Sequence, residues 1–322
     1  MEIDHLRKLV NEDLEAVDAL ILETIQSSVH VINNIGNHVI QSGGKRLRPL
    51  LVLLASRACL YEGREQIKLA AMIELFHTAT LLHDDVVDES SFRRGRETAN
   101  QIWGNKASVL VGDYLFTKYL QLMVDVGDID IIQLLISTAP QMGSGELQEL
   151  SNCKNMELTI EEYFEVIRAK TSLLFAASAT LGALISKAGE ARQKNLYAYG
   201  LHLGNAFQLI DDALDYCSET KILGKSKGDD LSQGKVTLPL LHAIKHGTKE
   251  QKLKIKESLE QGTVHYLPEI LEAMAETKAI EFTRNLAISE ADLAISELET
   301  LPDSIYKEAL VDLSQYAVHR LY

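Results

Sequence analysis

Proline is scarce, five residues in 322, and the three cysteines, Cys59, Cys153 and Cys217, lie far apart with no Cys-x-x-Cys pair among them. That excludes a disulfide framework and a zinc site, and leaves idle thiols in a reducing compartment. Long hydrophobic runs are also missing: the most apolar stretch, Leu50 to Ala55, is far too short to span a bilayer. The opening residues, Met1-Glu2-Ile3-Asp4-His5, are charged and lack an apolar signal core. A soluble, cytoplasmic protein with no transmembrane segment is expected. Positive charge is in deficit, 32 basic against 46 acidic residues and a net charge of −14, which argues against a nucleic-acid partner.

Apolar residues make up 46% of the chain, enough for a large core, and they recur at helical spacing. Leu14, Val17, Ile21, Ile25 and Val29 form one such series, and Val109, Leu110, Leu115, Phe116 and Leu120 another. No convincing set of alternating strands stands beside them. Breaks are expected at Ser42-Gly43-Gly44, Arg94-Gly95, Gly127-Asp128, Gly143-Ser144-Gly145, Gly224 to Gly234 and Gly262. Length alone allows two domains, but no linker, repeat or low-complexity stretch divides the chain. The expectation is one all-α domain over residues 1–322, a bundle of about ten or more helices around a central cavity.

Two Asp-Asp-x-x-Asp motifs carry the chemistry: Asp84-Asp85-Val86-Val87-Asp88 and Asp211-Asp212-Ala213-Leu214-Asp215. On a helix, residues four apart share a face, so Asp84 projects with Asp88 and Asp211 with Asp215, while Asp85 turns away. Like charges so placed destabilise a helix unless a cation offsets them. Magnesium takes one or two carboxylates plus phosphates and waters, and two such sites could grip a diphosphate from both sides. One acidic motif alone would read better as a solvated face. Both motifs, however, sit in apolar helix, behind Leu81-Leu82-His83 and Phe207-Gln208-Leu209-Ile210, where acidic residues are usually paired or functional.

Cations recur beside these motifs: Lys45, Arg46 and Arg48 in Gly43-Gly44-Lys45-Arg46-Leu47-Arg48-Pro49, then Arg93-Arg94-Gly95, Lys170-Thr171, and Lys225 and Lys235 around a glycine-bearing loop. Solubility explains any one of them, and is the preferred reading for Arg46, Arg96 and Lys227. It does not explain the recurrence, whereas cations for phosphate oxygens beside metal-holding carboxylates do. His77, two turns before Asp84 on nearly the same face, reads equally as structural or functional, and His83 is expected to point elsewhere.

With these motifs in this order, the chain resembles the trans-polyprenyl diphosphate synthases over essentially its whole length, including Gly228-Asp229-Asp230-Leu231 and Gly234-Lys235-Val236-Thr237-Leu238-Pro239. The resemblance implies the all-α isoprenoid synthase fold and a magnesium-dependent 1′-4 condensation of isopentenyl diphosphate onto an allylic diphosphate such as farnesyl diphosphate. It implies that Lys45, Arg48, His77 and Arg94 hold isopentenyl diphosphate. Arg93, Lys170, Thr171 and Gln208 would hold the allylic diphosphate, and Lys225 and Lys235 are further candidates for binding substrate. Asp84, Asp88 and Asp211 would bind magnesium, three ions with diphosphate present, supported by Asp85, Asp212 and Asp215. A homodimer, an octaprenyl product and a role in quinone side chains also follow from the resemblance. One departure is Gly145-Glu146-Leu147-Gln148-Glu149, where long-chain members usually read Gly-Glu-x-x-Gln.

Product length becomes a question of depth along the helix before Asp84. Ala79 and Thr80 are small where short-chain relatives place a bulky aromatic, so the tail is expected to pass this point. Phe76 and Met72 lie further up, and Met123 or Leu135 could form the floor, although core packing is the preferred reading for each one singly. Heptaprenyl, nonaprenyl or shorter products remain open, as does a catalytic subunit needing a small partner. A terpene cyclase would need no second diphosphate site, and a non-catalytic subunit would be expected to have lost carboxylates.

Overall fold

The structure is a computed structural model and describes residues 3–42, 44–217 and 227–320. The apolar periodicity is realised as helices: α1 (Ile3–Lys8), α2 (Asn11–Thr24), α3 (His30–Gln41), α4 (Leu47–Ala58), α5 (Gln66–Val87), α6 (Ala99–Trp103), α7 (Asn105–Val126), α8 (Ile129–Asn152) and α9 (Ile160–Ile167). A π-helical turn, Arg168–Ser172, leads into α10 (Leu173–Ile185) and α11 (Glu190–Cys217). Then follow α12 (Asp229–Ser232), α13 (Leu238–His246), α14 (Lys249–Gln261), α15 (Leu267–Glu276), α16 (Ala279–Glu297) and α17 (Ile305–Val318). The architecture is all-α, as the periodicity requires.

Helices α4 and α10 are apolar around most of their circumference because neighbours cover them: α10 packs on both α4 and α11, and α5 packs on α4 and α7. Each large side chain buried there contributes about 1.5–3 kcal/mol, so this inner layer is a rigid mount. Long α11 joins two apolar clusters, with Leu196, Tyr199 and Leu203 in one and Leu209, Ile210 and Leu214 in the other. Both acidic motifs therefore sit on the C-terminal ends of helices anchored in the core.

The expected breaks at Gly127-Asp128 and Gly262 are where the sequence reading put them. Gly127 ends α7 in the left-handed region, Asp128 caps α8 by accepting from the N–H groups of Asp130 and Ile131, and Gly262 ends α14. At Gly143-Ser144-Gly145 the expectation fails, since α8 runs straight through those residues and through Pro140. A Cβ on Gly145 would lie 2.4 Å from that of Ala169, so this glycine serves a close helix contact rather than a turn. A small hairpin is also present where no strand was expected: Phe92–Arg93 pairs antiparallel with Arg96–Glu97. Arg94 and Gly95, with φ of 54° and 74°, form its two-residue turn, which demands positive φ at both positions.

Candidate active site

Asp84 and Asp88 share one face at the end of α5, and Asp85 turns into the protein, where its carboxylate accepts from Arg93 Nε at 2.8 Å. The hairpin thus sends its two arginines different ways. Arg93 goes to Asp85, whereas the Arg94 guanidinium fills the space beside Gly44, 2.6 Å from where a Cβ would stand. His83 faces α7, near Asp113 and the carbonyl of Val109, away from the motif as expected.

Two lysines lie against these carboxylates. Lys235 Nζ is 2.8 Å from Asp88 Oδ2 and 3.6 Å from Glu149, and Lys170, on the π-helical turn, bonds Glu149 and lies 2.8 Å from Glu146. Burial works against the charge on Lys235, but Glu149 and Asp88 outweigh it and hold the ammonium above its ordinary range. Burial, then the Glu146 charge, pushes Asp84 up to about 7 even with Lys170 and Arg93 nearby. The acidic cluster is short of cations.

The second motif is divided in the same manner. Asp211 is the partly exposed member and accepts from Arg320 Nη1 at 2.8 Å. Arg320 also donates to the Phe207 carbonyl and lies 3.8 Å from the centre of the Phe207 ring. Asp212 is buried, accepts from the Tyr163 hydroxyl and from Gln208 Nε2, and burial with the Asp230 charge raises its pKa well above the carboxylate range. Gln208 in turn accepts from Thr171 Oγ1 at 2.7 Å, and Asp215 accepts from the Asp229 N–H. Asp85 and Asp212, grouped in the sequence reading with the metal-binding carboxylates, thus each bond protein partners.

The remaining cations form a separate set. Arg48, half-buried over the Phe175 ring at 4.6 Å, has its pKa lowered to about 10 by desolvation and donates to His77 Nε2 at 3.1 Å. Burial, then Arg48 and Arg94, drives the His77 pKa well below 6.5, so the ring is neutral. Lys45 Nζ lies 5.2 Å from the Tyr316 ring. The solubility reading of Arg46 is overturned: its side chain is 10% exposed, pairs with Glu74 and with Asp18, and donates to the Ile40 carbonyl. Lys225 and Gly43 lie outside the described residues.

Above the first motif, Ala79 is buried and Thr80 is half-buried, its hydroxyl on the His77 carbonyl. Met72, Phe76, Met123 and Leu135 are all buried. Phe76 meets two aromatic rings of α7, Tyr119 at 5.1 Å and Phe116 at 5.9 Å between centroids, of which the sequence reading named only Phe116, and only as part of an apolar series. Their spacing with Met123, at i, i+3 and i+7, marks a buried helix face and could have drawn attention. Tyr163 and Arg320 carried no such local signal.

Among the described residues no three His, Cys, Asp or Glu side chains converge as a ready metal site. Hard carboxylate oxygens in pairs, with lysines and an arginine drawn onto them, still fit a magnesium ion that takes the rest of its shell from diphosphate and water. No helix of the described residues is long and apolar enough to cross a membrane.

Helical bundles with two acidic motifs and flanking cations define the isoprenoid synthase fold, and known proteins bear this out. The polyprenyl synthetase family model matches residues 29–274. The octaprenyl diphosphate synthase of Escherichia coli (strain K12) is 45% identical, over 99% of each chain. The crystal structure of a decaprenyl diphosphate synthase from Rhodobacter capsulatus superposes with a TM-score of 0.94 at 41% identity, covering 100% of both chains. A polyprenyl synthase from Caulobacter crescentus CB15, complexed with calcium and isoprenyl diphosphate, gives 0.96 at 39% identity, covering 100% of this chain and 98% of that one. This chain belongs to the polyprenyl synthetase family, whose members carry out trans-prenyl chain elongation.

Proposed function

We propose that this enzyme elongates farnesyl diphosphate with isopentenyl diphosphate, by repeated 1′-4 condensation, to an all-trans polyprenyl diphosphate of octaprenyl length. The observation that carries the reading is the separation of two cation sets. Arg93, Lys170 and Lys235 lie among the carboxylates, whereas Arg48 is bonded to neutral His77 and Arg94 fills the space beside Gly44. The first set, with Thr171 and Gln208, would hold the allylic diphosphate, and the second, with Lys45, the isopentenyl diphosphate.

Members of the family are magnesium-dependent. Asp84, Asp88 and Asp211 are the carboxylates we assign to the metal, in three ions with diphosphate bound, and Asp215 supports them. Bound there, magnesium supplies Lewis-acid stabilisation of the departing diphosphate. Asp85 and Asp212 would act by fixing Arg93, Tyr163 and Gln208. Arg93, Lys170 and Lys235 donate to the oxygens on which charge builds as the allylic carbon–oxygen bond breaks. The Thr171 and Gln208 dipoles and the apolar wall shield the carbocation. The isopentenyl double bond attacks it, and the released diphosphate accepts the proton lost in forming the new double bond.

The product would grow along α5 past Ala79 towards Phe76, Tyr119 and Met123. Exposed Leu110, Val124, Ile129, Ile136 and Leu147 on α7 and α8 support a homodimer through those helices. A cytoplasmic enzyme supplying quinone side chains completes the reading. Its test is the purified chain alone with farnesyl diphosphate, isopentenyl diphosphate and magnesium, with chromatography of the extracted products. Octaprenyl diphosphate is expected; a cyclic hydrocarbon, or no product without a second subunit, would overturn it.

A further inference from the structure

The turn that carries Lys170 and Thr171 is not α-helical, and the structure shows what holds it in its unusual shape. Arg168–Ser172 is a π-helix, its hydrogen bonds spanning one residue more than those of its neighbours α9 and α10, as in Leu173 N–H to the Arg168 carbonyl. Such turns are strained and need outside support, and they recur at functional sites. Two glycines clamp this one. A Cβ on Gly204 would stand 2.4 Å from Ser172 Cα, and one on Gly145 would stand 2.4 Å from Ala169 Cβ and 3.3 Å from the Lys170 nitrogen. The turn is therefore gripped between α11 and α8 as closely as backbones allow.

A buried polar relay fixes it along the third direction. Ser172, wholly buried, donates its hydroxyl hydrogen to Asn205 Oδ1 at 2.7 Å. Asn205, also wholly buried, donates Nδ2 to Glu290 Oε2 at 2.9 Å. His202 Nδ1 meets the same oxygen at 2.7 Å. Burial works against the charged carboxylate, but the hydrogen bonds from His202 and Asn205 outweigh it and hold Glu290 below its ordinary range. Glu290 thus stays ionised, and an ionised acceptor orients the Asn205 amide in the one sense that leaves its oxygen facing Ser172.

Glu290 lies on α16, far along the chain from either acidic motif, and touches none of the residues we assign to substrate. We propose that Glu290, through Asn205 and Ser172, is a positioning residue that sets the π-helical turn so that Lys170 and Thr171 meet the allylic diphosphate. This rests on the proposed function for the identity of that ligand. Misplacing reacting groups from a distance carries a rate penalty of up to about a hundredfold, which gives the effect its scale.

The test compares Glu290→Ala, Glu290→Gln and Ser172→Ala in the full chain, using magnesium with inorganic diphosphate in calorimetry and steady-state kinetics. Glu290→Ala and Ser172→Ala are expected to weaken diphosphate binding and raise KM for the allylic substrate about tenfold, leaving KM for isopentenyl diphosphate unchanged. Glu290→Gln keeps an acceptor for Asn205 and should recover most of the loss. In a Lys170→Ala background the Glu290→Ala effect should shrink to the share carried by Thr171, because part of it runs through Lys170. Additive losses, equal losses for both substrates, or a fall in thermal stability with both KM values unchanged would overturn the proposal. If Glu290→Ala does not fold, Ser172→Ala carries the same comparison. If the native chain binds diphosphate but makes no polyprenyl product, the functional reading fails while the calorimetric comparison still decides the role of Glu290.

Discussion

Arg48 and His77, 29 positions apart on α4 and α5, are joined by a 3.1 Å hydrogen bond in which the guanidinium must be the donor. His77 Nε2 is therefore an acceptor and the ring proton sits on Nδ1. The pair is a half-buried cation held by a neutral support.

The neutrality of His77 has a pH signature. Its pKa is well below 6.5 in the folded protein, through burial and then Arg48 and Arg94, and near 6.5 in the unfolded chain. Between those values the unfolded state binds more protons, so the contribution to stability is complete above 6.5 and is lost as pH falls below it. Relative to His77→Gln, the native protein should lose up to about 1.4 kcal/mol per pH unit there, measured by urea unfolding. A difference that does not change with pH would mean the ring is protonated or exposed.

Asp84→Ala should lower turnover by a factor on the order of a hundred to a thousand, the scale of losing one electrostatic stabiliser. The same variant should melt no lower than the native protein above pH 7. Burial and Glu146 raise the Asp84 pKa to about 7, so its ionised form opposes folding once magnesium is absent. Near-native turnover would remove Asp84 from the metal set.

Ala79 is buried on the same stretch of α5 as Phe76, whose ring stands against Tyr119. Ala79→Tyr should block the tail before that aromatic cluster and shorten products to about farnesyl length, a matter of filled volume. Chromatography of the products checks it, and an unchanged distribution would refute the direction of the tunnel.

Glu149 contacts both lysines beside the first acidic motif, bonding Lys170 and standing 3.6 Å from Lys235. Glu149→Gln leaves each lysine one carboxylate, Glu146 and Asp88, and restores the residue usual in long-chain members. Diphosphate should then bind tighter by about fivefold, the scale of one partly screened charge pair. Weaker binding in calorimetry would make Glu149 a contributor to the site rather than a competitor for its cations.

Arg46→Ala should destabilise the fold by about 3–5 kcal/mol, because it strands the buried Glu74 carboxylate. Replacing both partners with apolar residues should recover most of that loss in denaturant unfolding. An Arg46→Ala protein as stable as the native chain would return Arg46 to the solubility role.

The helices and the paired carboxylates were legible because both are local. Periodicity reports which face of a helix is apolar, and i, i+4 spacing alone puts Asp84 with Asp88. The same local reasoning failed at Gly143-Ser144-Gly145, where Gly145 answers to Ala169 and Lys170 on another helix. It failed for Arg46, whose partners Glu74 and Asp18 lie on α5 and α2. It had nothing to say of Arg320, which meets Asp211 across 109 residues.

An all-α chain, two acidic motifs and the cations recurring beside them could all be read from residue type and spacing. Which carboxylates stay partly exposed, which are turned into the protein, and which cation attends which acid depended on the folded arrangement. It also set the π-helical turn between Gly145 and Gly204 and tied it to Glu290. The reason is physical: residue type and spacing fix what a short segment can do, but charge pairing and close backbone contact depend on neighbours that only folding brings together.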